Sequence, residues 1–441
     1  MQVTHQINAR WIITVDSNNN VLEHHSLIIQ NDVIVDILPQ SAASKYTPEQ
    51  TTTLNNHALF PGLINAHTHA SMSLLKGLAD DIPLQEWLNE HIWPAETALA
   101  DEVFVKDGAE LAIAEMIKSG TTCFNDMYFF IDQTAEVAIQ AGIRAHIGIP
   151  VIDFPTRWAT TLDEYISKGL AVRDRYINDK LLSFTFSPHA TYTVSDKSFK
   201  TIQPLMDELA MPMHIHIHET RSEVDKAIAE HGVSPLERLE KLDLLGPELI
   251  SVHMTALSKS DIQMLATYGV NVVHCPESNL KLASGFCPVL ALIDAGVNVA
   301  LGTDGSASNN DIDMLGEMRT AALLAKGATN NADALPAYQA LRMATINGAK
   351  ALGIDDKVGT LEINKQADFV AIDLNSIETQ PVYDVISTLI YSANRSQISD
   401  VWVAGKQLMA SRQLTTMDEA AILEKAKQWH EKVSPFHHQS Y

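Results

Sequence analysis

Hydrophobic and polar positions change rhythm twice along the chain. Up to residue 57 the apolar positions come in short alternating runs at 7–15, 26–29 and 33–37, separated by turn-rich pieces such as Asp16-Ser17-Asn18-Asn19-Asn20. That texture predicts a small antiparallel β unit. From 58 to 357 apolar runs alternate with helical patterns. The runs fall at 58–66, 121–127, 144–152, 182–187, 212–217, 249–254, 270–275 and 297–303, with amphipathic stretches such as 102–118, 133–141 and 260–268 between them. Gly120, Gly142, Gly269 and Gly296 each stand between a helical stretch and the next run, where a residue tolerant of positive φ ends a helix. Eight βα units predict a parallel (β/α)8 barrel. Short alternation returns at 358–362, at 367–372 and in a hairpin at 401–408, so the two termini are expected to share one sandwich. A last helix is expected over 417–432, with Ala420, Ala421, Leu423, Ala426 and Trp429 on one face, packed on the sandwich or on the barrel. The expected architecture is therefore α/β: a TIM-like barrel over 58–357 and a small β-sandwich domain built from 1–57 and 358–441.

Composition narrows the partners. Asp and Glu number 54 against 31 Lys and Arg, a formal charge of −23 in 441 residues. Such a balance disfavours nucleic acid and anionic lipid and leaves a small molecule as the expected partner. Cys123, Cys275 and Cys287 show no CxxC spacing, which argues against a disulfide framework or a thiolate metal site. The N-terminus lacks a basic stretch followed by an apolar one, and no apolar run reaches membrane-spanning length. A cytoplasmic protein is expected.

The ends of the predicted strands carry the chemistry. His67 and His69, in PGLINAHTH (61–69), are two residues apart, so on a strand both project to one side and a single divalent metal can take both. Another apolar run holds His214, His216 and His218, followed by Glu219, while His253 and Asp304 end two more. In a barrel these positions fall at the C-terminal ends of strands, where the reacting groups sit. Zinc in a hydrolase takes nitrogen and oxygen ligands with one position open, which His67, His69, one histidine of the second cluster and Asp304 would supply. Spacing leaves all three histidines of that cluster open, and the same ligands accept iron or manganese.

Together, PGLINAHTH, HIHIHET (214–220), the isolated His253 and LGTDG (301–305) resemble the amidohydrolase superfamily of metal-dependent barrel hydrolases. More narrowly, residues 70–96, SPHATYT (187–193), CPESNLKLASG (275–285) and TDGSASNNDIDM (303–314) are similar to the deaminases of 5′-methylthioadenosine and S-adenosylhomocysteine. The resemblance implies that His216, three residues before Glu219, is the ligand, leaving His214 and His218 supporting roles. It implies one metal, since Ser187-Pro188-His189 stands where binuclear members carry a carboxylated lysine. It also implies Asp304 as proton acceptor, His253 orienting the attacking water and Glu219 shuttling a proton to a purine ring nitrogen and then to the departing 6-amino group. For the substrate it implies Glu96 on the ribose hydroxyls, His189 on the purine edge and Trp87 beside the 5′ substituent, and it implies a homo-oligomer. The chain departs from the pattern after strand three. There only Arg157 could meet the amino-acid carboxylate of S-adenosylhomocysteine, which tilts the expectation toward 5′-methylthioadenosine or adenosine. The rival readings are a triazine hydrolase or a guanine or cytosine deaminase, and, in another class, a barrel that has lost catalysis and serves as an interaction protein.

Overall fold

The computed structural model describes residues 1–437. The final positions of the 358–441 segment lie outside the described residues. Two sheets organise the chain. The first is built from both termini: β1 Gln2–Ile13, β2 Val21–Gln30, β3 Val33–Pro39 and β4 Thr47–Pro61. The second follows as β5 Leu63–Thr68, β6 Thr121–Asp126, β7 Arg144–Val151, β8 Leu182–Pro188, β9 Met213–Ile217, β10 Leu249–His253, β11 Asn271–His274 and β12 Val299–Leu301. The chain then returns to the first sheet with β13 Phe369–Asp373, β14 Ile398–Val403, β15 Lys406–Ala410 and β16 Gln413–Leu414.

Strands β5 to β12 pair in sequence order, all in parallel, with helices between them. Closure between β12 and β5 is made by side chains as well as backbone. Asn65 Nδ2 donates to Thr303 Oγ1 at 2.7 Å, Thr303 N donates to Asn65 Oδ1 at 3.0 Å, and Asp304 N donates to the His67 carbonyl at 3.1 Å. A Cβ on Gly302 would lie 2.8 Å from the His67 nitrogen, so only glycine lets these two backbones meet. The eighth strand is accordingly shorter than the expected 297–303.

The terminal sheet runs β16-β15-β14-β13-β4-β1-β2-β3 and is mixed, because β1 and β4 are parallel while the other neighbours are antiparallel. Its two arms share an apolar core in which Ile7, Ile12 and Leu27 meet Leu361, Phe369 and Trp402. Two strand expectations are corrected here. The apolar run 58–66 is two strands: its first part ends β4 and pairs with β1 and β13, and Leu63 begins the barrel. Both halves are buried, so hydrophobicity cannot show the break. Gly62 marks it, since a Cβ there would sit 2.0 Å from Thr122 Oγ1. Residues 358–362 form no strand; their apolar members are buried for packing, and Leu361 N bonds the Thr14 carbonyl at 2.8 Å.

The last helix, Glu419–Val433, packs on the barrel helix Glu102–Lys118. Trp429 stands edge-on to Phe104 with centroids 5.2 Å apart and donates to Asp107 at 2.9 Å. Across the two sheets, buried Arg144 of β7 grips Asp368 at 3.0 and 3.2 Å, and Asp368 also accepts from Ala404 N at 2.7 Å.

Candidate active site

The expected ligands converge at the C-terminal mouth of the barrel. One donor atom each from His67, His216, His253 and Asp304 lies within 4.8 Å of the others. His69 joins through Asp304, with Nε2 3.1 Å from Oδ1, while His67 Nε2 lies 3.2 Å from the same oxygen. His253, expected beside the metal, thus belongs to the tightest group, and His69 stands at its edge.

Each imidazole is anchored at Nδ1 and presents Nε2 inward. His69 Nδ1 lies 2.6 Å from the Met127 carbonyl and His216 Nδ1 lies 2.6 Å from the His189 carbonyl, so these nitrogens carry the protons. His67 Nδ1 meets His214 Nε2 at 2.9 Å, and His253 Nδ1 meets Asn279 Oδ1 at 2.8 Å. Asp304 turns Oδ2 to the hydroxyls of Ser278 and Ser308, both at 2.7 Å, leaving Oδ1 for the histidines. His218 lies outside the cluster, bonded to the Ala256 carbonyl at 2.9 Å and by Leu236 N at 3.2 Å.

Electrostatics say what belongs in the middle. Burial pushes His67 down to about 3 and holds His214 and His216 well below the usual range, so all three are neutral. Burial also opposes ionisation of Asp304, yet hydrogen bonds from His67 and His69 hold it well below the ordinary carboxylate range. Burial works against a proton on His69 too, but Asp304 and the Met127 carbonyl raise it to about 9. Neutral imidazoles face each other, with His67 Nε2 and His216 Nε2 3.1 Å apart beside a carboxylate. A divalent cation satisfies that arrangement, and the mixed imidazole and carboxylate donors suit zinc.

Glu219 follows β9 and is buried against this cluster, its Oε2 3.9 Å from His253 Nε2 and its Oε1 accepting from Ser284 at 3.1 Å. Burial raises its carboxyl above the usual range, against the pull of His253. A second carboxylate, Glu223, accepts from the amides of Glu219 at 2.7 Å and His218 at 3.2 Å, where His218 takes φ +53°.

The cluster opens into a cavity of about 490 Å³ that also takes in Glu96, His189, Trp87 and Arg157. Glu96 accepts from the Tyr128 hydroxyl at 2.7 Å, and burial raises its carboxyl despite that bond. His189 Nδ1 meets Thr193 Oγ1 at 3.0 Å, and burial lowers its ring to about 4. Trp87 shares the apolar wall with Trp93, Phe154 and Trp158. Arg157 reaches the cavity edge but is spent elsewhere, donating to the Ala98 carbonyl at 2.7 Å and lying 3.6 Å from Asp101. Sequence reading missed Tyr128, Glu223, Ser278, Asn279, Ser284 and Ser308. Ser278, Asn279 and Ser284 lie in CPESNLKLASG and Ser308 in TDGSASNNDIDM, motifs whose resemblance was visible without a role for each residue.

Comparison with known proteins agrees with this geometry. The Amidohydrolase family profile matches residues 58–408. A 5-methylthioadenosine/S-adenosylhomocysteine deaminase of Saccharophagus degradans is 50% identical, covering 97% of this chain and 96% of its own. The crystal structure of an adenosine deaminase from Xanthomonas campestris with bound zinc superposes with a TM-score of 0.97 at 49% identity, over 98% of this chain and 99% of that one. An atrazine chlorohydrolase of Arthrobacter aurescens shares the fold, with a TM-score of 0.91 at 23% identity over 97% of this chain and all of its own. With the profile spanning the barrel and a half-identical relative matching nearly end to end, the chain belongs to the amidohydrolase family.

Proposed function

We propose that the protein is a metal-dependent deaminase that hydrolyses the 6-amino group of adenine nucleosides, giving the inosine-type product and ammonia. The observation that carries this reading is the convergence of Glu219, His253 and Asp304 on the metal-competent cluster at one end of a cavity that also holds Glu96 and an apolar wall. His67, His69, His216 and Asp304 would hold the metal, with His253 close enough to share its shell. A divalent ion bound there supplies Lewis acidity that lets water ionise near neutral pH.

The chain's own groups do the rest. Asp304 Oδ1, unencumbered by Ser278 and Ser308, takes the water proton, and His253 orients the oxygen toward purine C6. Glu219, whose carboxyl burial raises above its usual range, gives its proton to the ring nitrogen and later delivers one to the departing amino group. His189 faces the purine edge, and Glu96 accepts from the ribose hydroxyls, a geometry a carboxylate satisfies well.

The 5′ end decides among substrates. Trp87, Trp93 and Phe154 form an apolar wall, whereas Arg157 is engaged with Ala98 and Asp101. A methylthio group gains ~0.8 kcal/mol per buried apolar carbon, and among the described residues lining the cavity the one guanidinium, Arg157, already has partners. Steady-state deamination should therefore rank 5′-methylthioadenosine at or above adenosine in kcat/KM, S-adenosylhomocysteine lower and adenine lowest. If adenine or S-adenosylhomocysteine came out best, the roles given to Glu96 and Arg157 would have to be abandoned.

The partner in this reading is the nucleoside alone. No helix among the described residues is long and apolar enough to cross a membrane, and the acidic charge disfavours nucleic acid. A cytoplasmic homo-oligomer completes the proposal, checked by light scattering of the purified protein and by cell fractionation.

A further inference from the structure

The segment 275–285, CPESNLKLASG, sends three side chains to three different residues of the site. Ser278 donates to Asp304 Oδ2 at 2.7 Å, Asn279 Oδ1 lies 2.8 Å from His253 Nδ1, and Ser284 Oγ donates to Glu219 Oε1 at 3.1 Å. The first two come from the helix Pro276–Lys281. Ser284 follows it in a turn that Ala283 enters at φ +51° and that the Ser284 amide closes onto the Asn279 carbonyl at 2.9 Å. Ser284 is buried, and among the described residues its hydroxyl has one partner, Glu219.

We infer that Ser284 is a positioning residue that decides which oxygen of Glu219 carries the shuttled proton, an inference that rests on the proposed role of Glu219. A hydroxyl donating to Oε1 makes that oxygen the carbonyl-like acceptor, so the acid proton resides on Oε2, the oxygen facing His253 Nε2 at 3.9 Å. The backbone of Glu219 is held on both sides. Its amide is held by Glu223 at 2.7 Å and its carbonyl by the Thr255 hydroxyl at 2.6 Å. In the first transfer the Oε2–H bond breaks as the N–H bond to the purine forms, leaving a carboxylate that keeps the Ser284 bond at Oε1. In the second, Oε2 takes the remaining proton of the attacking water and passes it to the amino group, and the proton first taken by Asp304 returns Glu219 to its acid form. Without the hydroxyl the proton divides between the two oxygens, and the fraction on Oε1 points away from the substrate. Turnover suffers; binding does not.

Infrared spectroscopy reads the bond directly. At a pH where Glu219 is protonated, its carboxylic C=O band is identified by its loss in Glu219→Gln. That band should move to higher wavenumber in Ser284→Ala and return toward its original place in Ser284→Thr. An unmoved band overturns the inference, whatever the substrate proves to be, whereas failure of the wild-type protein to release ammonia from any nucleoside would count against the proposed function instead. Kinetics give the second arm. Ser284→Ala should lower kcat roughly tenfold, as expected for a lost hydrogen bond to a charged group, with KM within about twofold. Ser284→Thr should recover most of the loss, and adding Ser284→Ala to Glu219→Gln should cost nothing more. Equal losses in both backgrounds, or a loss confined to KM, would overturn the assignment.

Discussion

His67 Nδ1 lies 2.9 Å from His214 Nε2, and both rings are fully buried. The contact holds the His67 ring with its Nε2 toward the cluster, as partners behind metal ligands commonly do. Removing the partner should therefore weaken the metal rather than the fold alone. His214→Ala is expected to lower metal affinity about 10- to 100-fold, measured by competition with a chromophoric chelator. Affinity equal to wild type would mean that His67 is oriented by packing and not by His214.

Tyr128 and Glu96 form a pair of the same kind on the substrate side, at 2.7 Å. Tyr128→Phe leaves the carboxylate short of one donor without changing shape. KM for nucleosides should rise about five- to tenfold, the worth of roughly one hydrogen bond, with kcat within about twofold. Free adenine, which brings no ribose, should respond far less. An equal rise for adenine would disconnect Glu96 from the sugar.

The site was legible in the sequence to the extent that its groups lie on strands. His67, His69, His216, His253 and Asp304 all stand at or just beyond strand ends, where a period of two and the barrel rule locate them. What stayed hidden depends on contacts across long separations. Asn279 reaches His253 and Tyr128 reaches Glu96, and no periodicity carries such pairings. The barrel failed to read cleanly in one place, the 58–66 run, where two strands from different sheets are buried alike and only Gly62 separates them. The Thr-rich start of β4 gave no apolar alternation at all and was missed.

Asp126 offers a pH test of stability. Burial raises its carboxyl from 3.8 to about 6, although its Oδ1 accepts from Ala70 N at 2.7 Å. The folded state therefore binds this proton more tightly than the unfolded chain, and its contribution to stability is present below the unfolded pKa and lost as pH rises through about 6. Asp126→Asn keeps the acceptor and removes the titration. In metal-free protein the stability of the variant relative to wild type should climb between about pH 4 and 6 and then level off. A difference flat across that window would show that Asp126 titrates as an ordinary carboxyl.

Arg144 and Asp368 join the barrel to the terminal sheet in a buried, two-pronged ion pair. Truncating one side strands the other charge away from water. Arg144→Ala should cost about 3–5 kcal/mol in denaturant unfolding. A loss below about 1 kcal/mol would mean that water reaches Asp368 as readily as it reaches a surface pair.

Glu219 bears the central claim, and ammonia release from 5′-methylthioadenosine at matched metal content tests it most directly. The wild-type protein, carrying about one divalent ion per chain by elemental analysis, should release one ammonia per inosine-type product formed. Glu219→Gln should hold the same metal and turn over slower by roughly two orders of magnitude or more, since glutamine keeps the shape and cannot deliver the proton. Near wild-type turnover by that variant, or no ammonia from the metal-loaded wild-type protein, would contradict the claim.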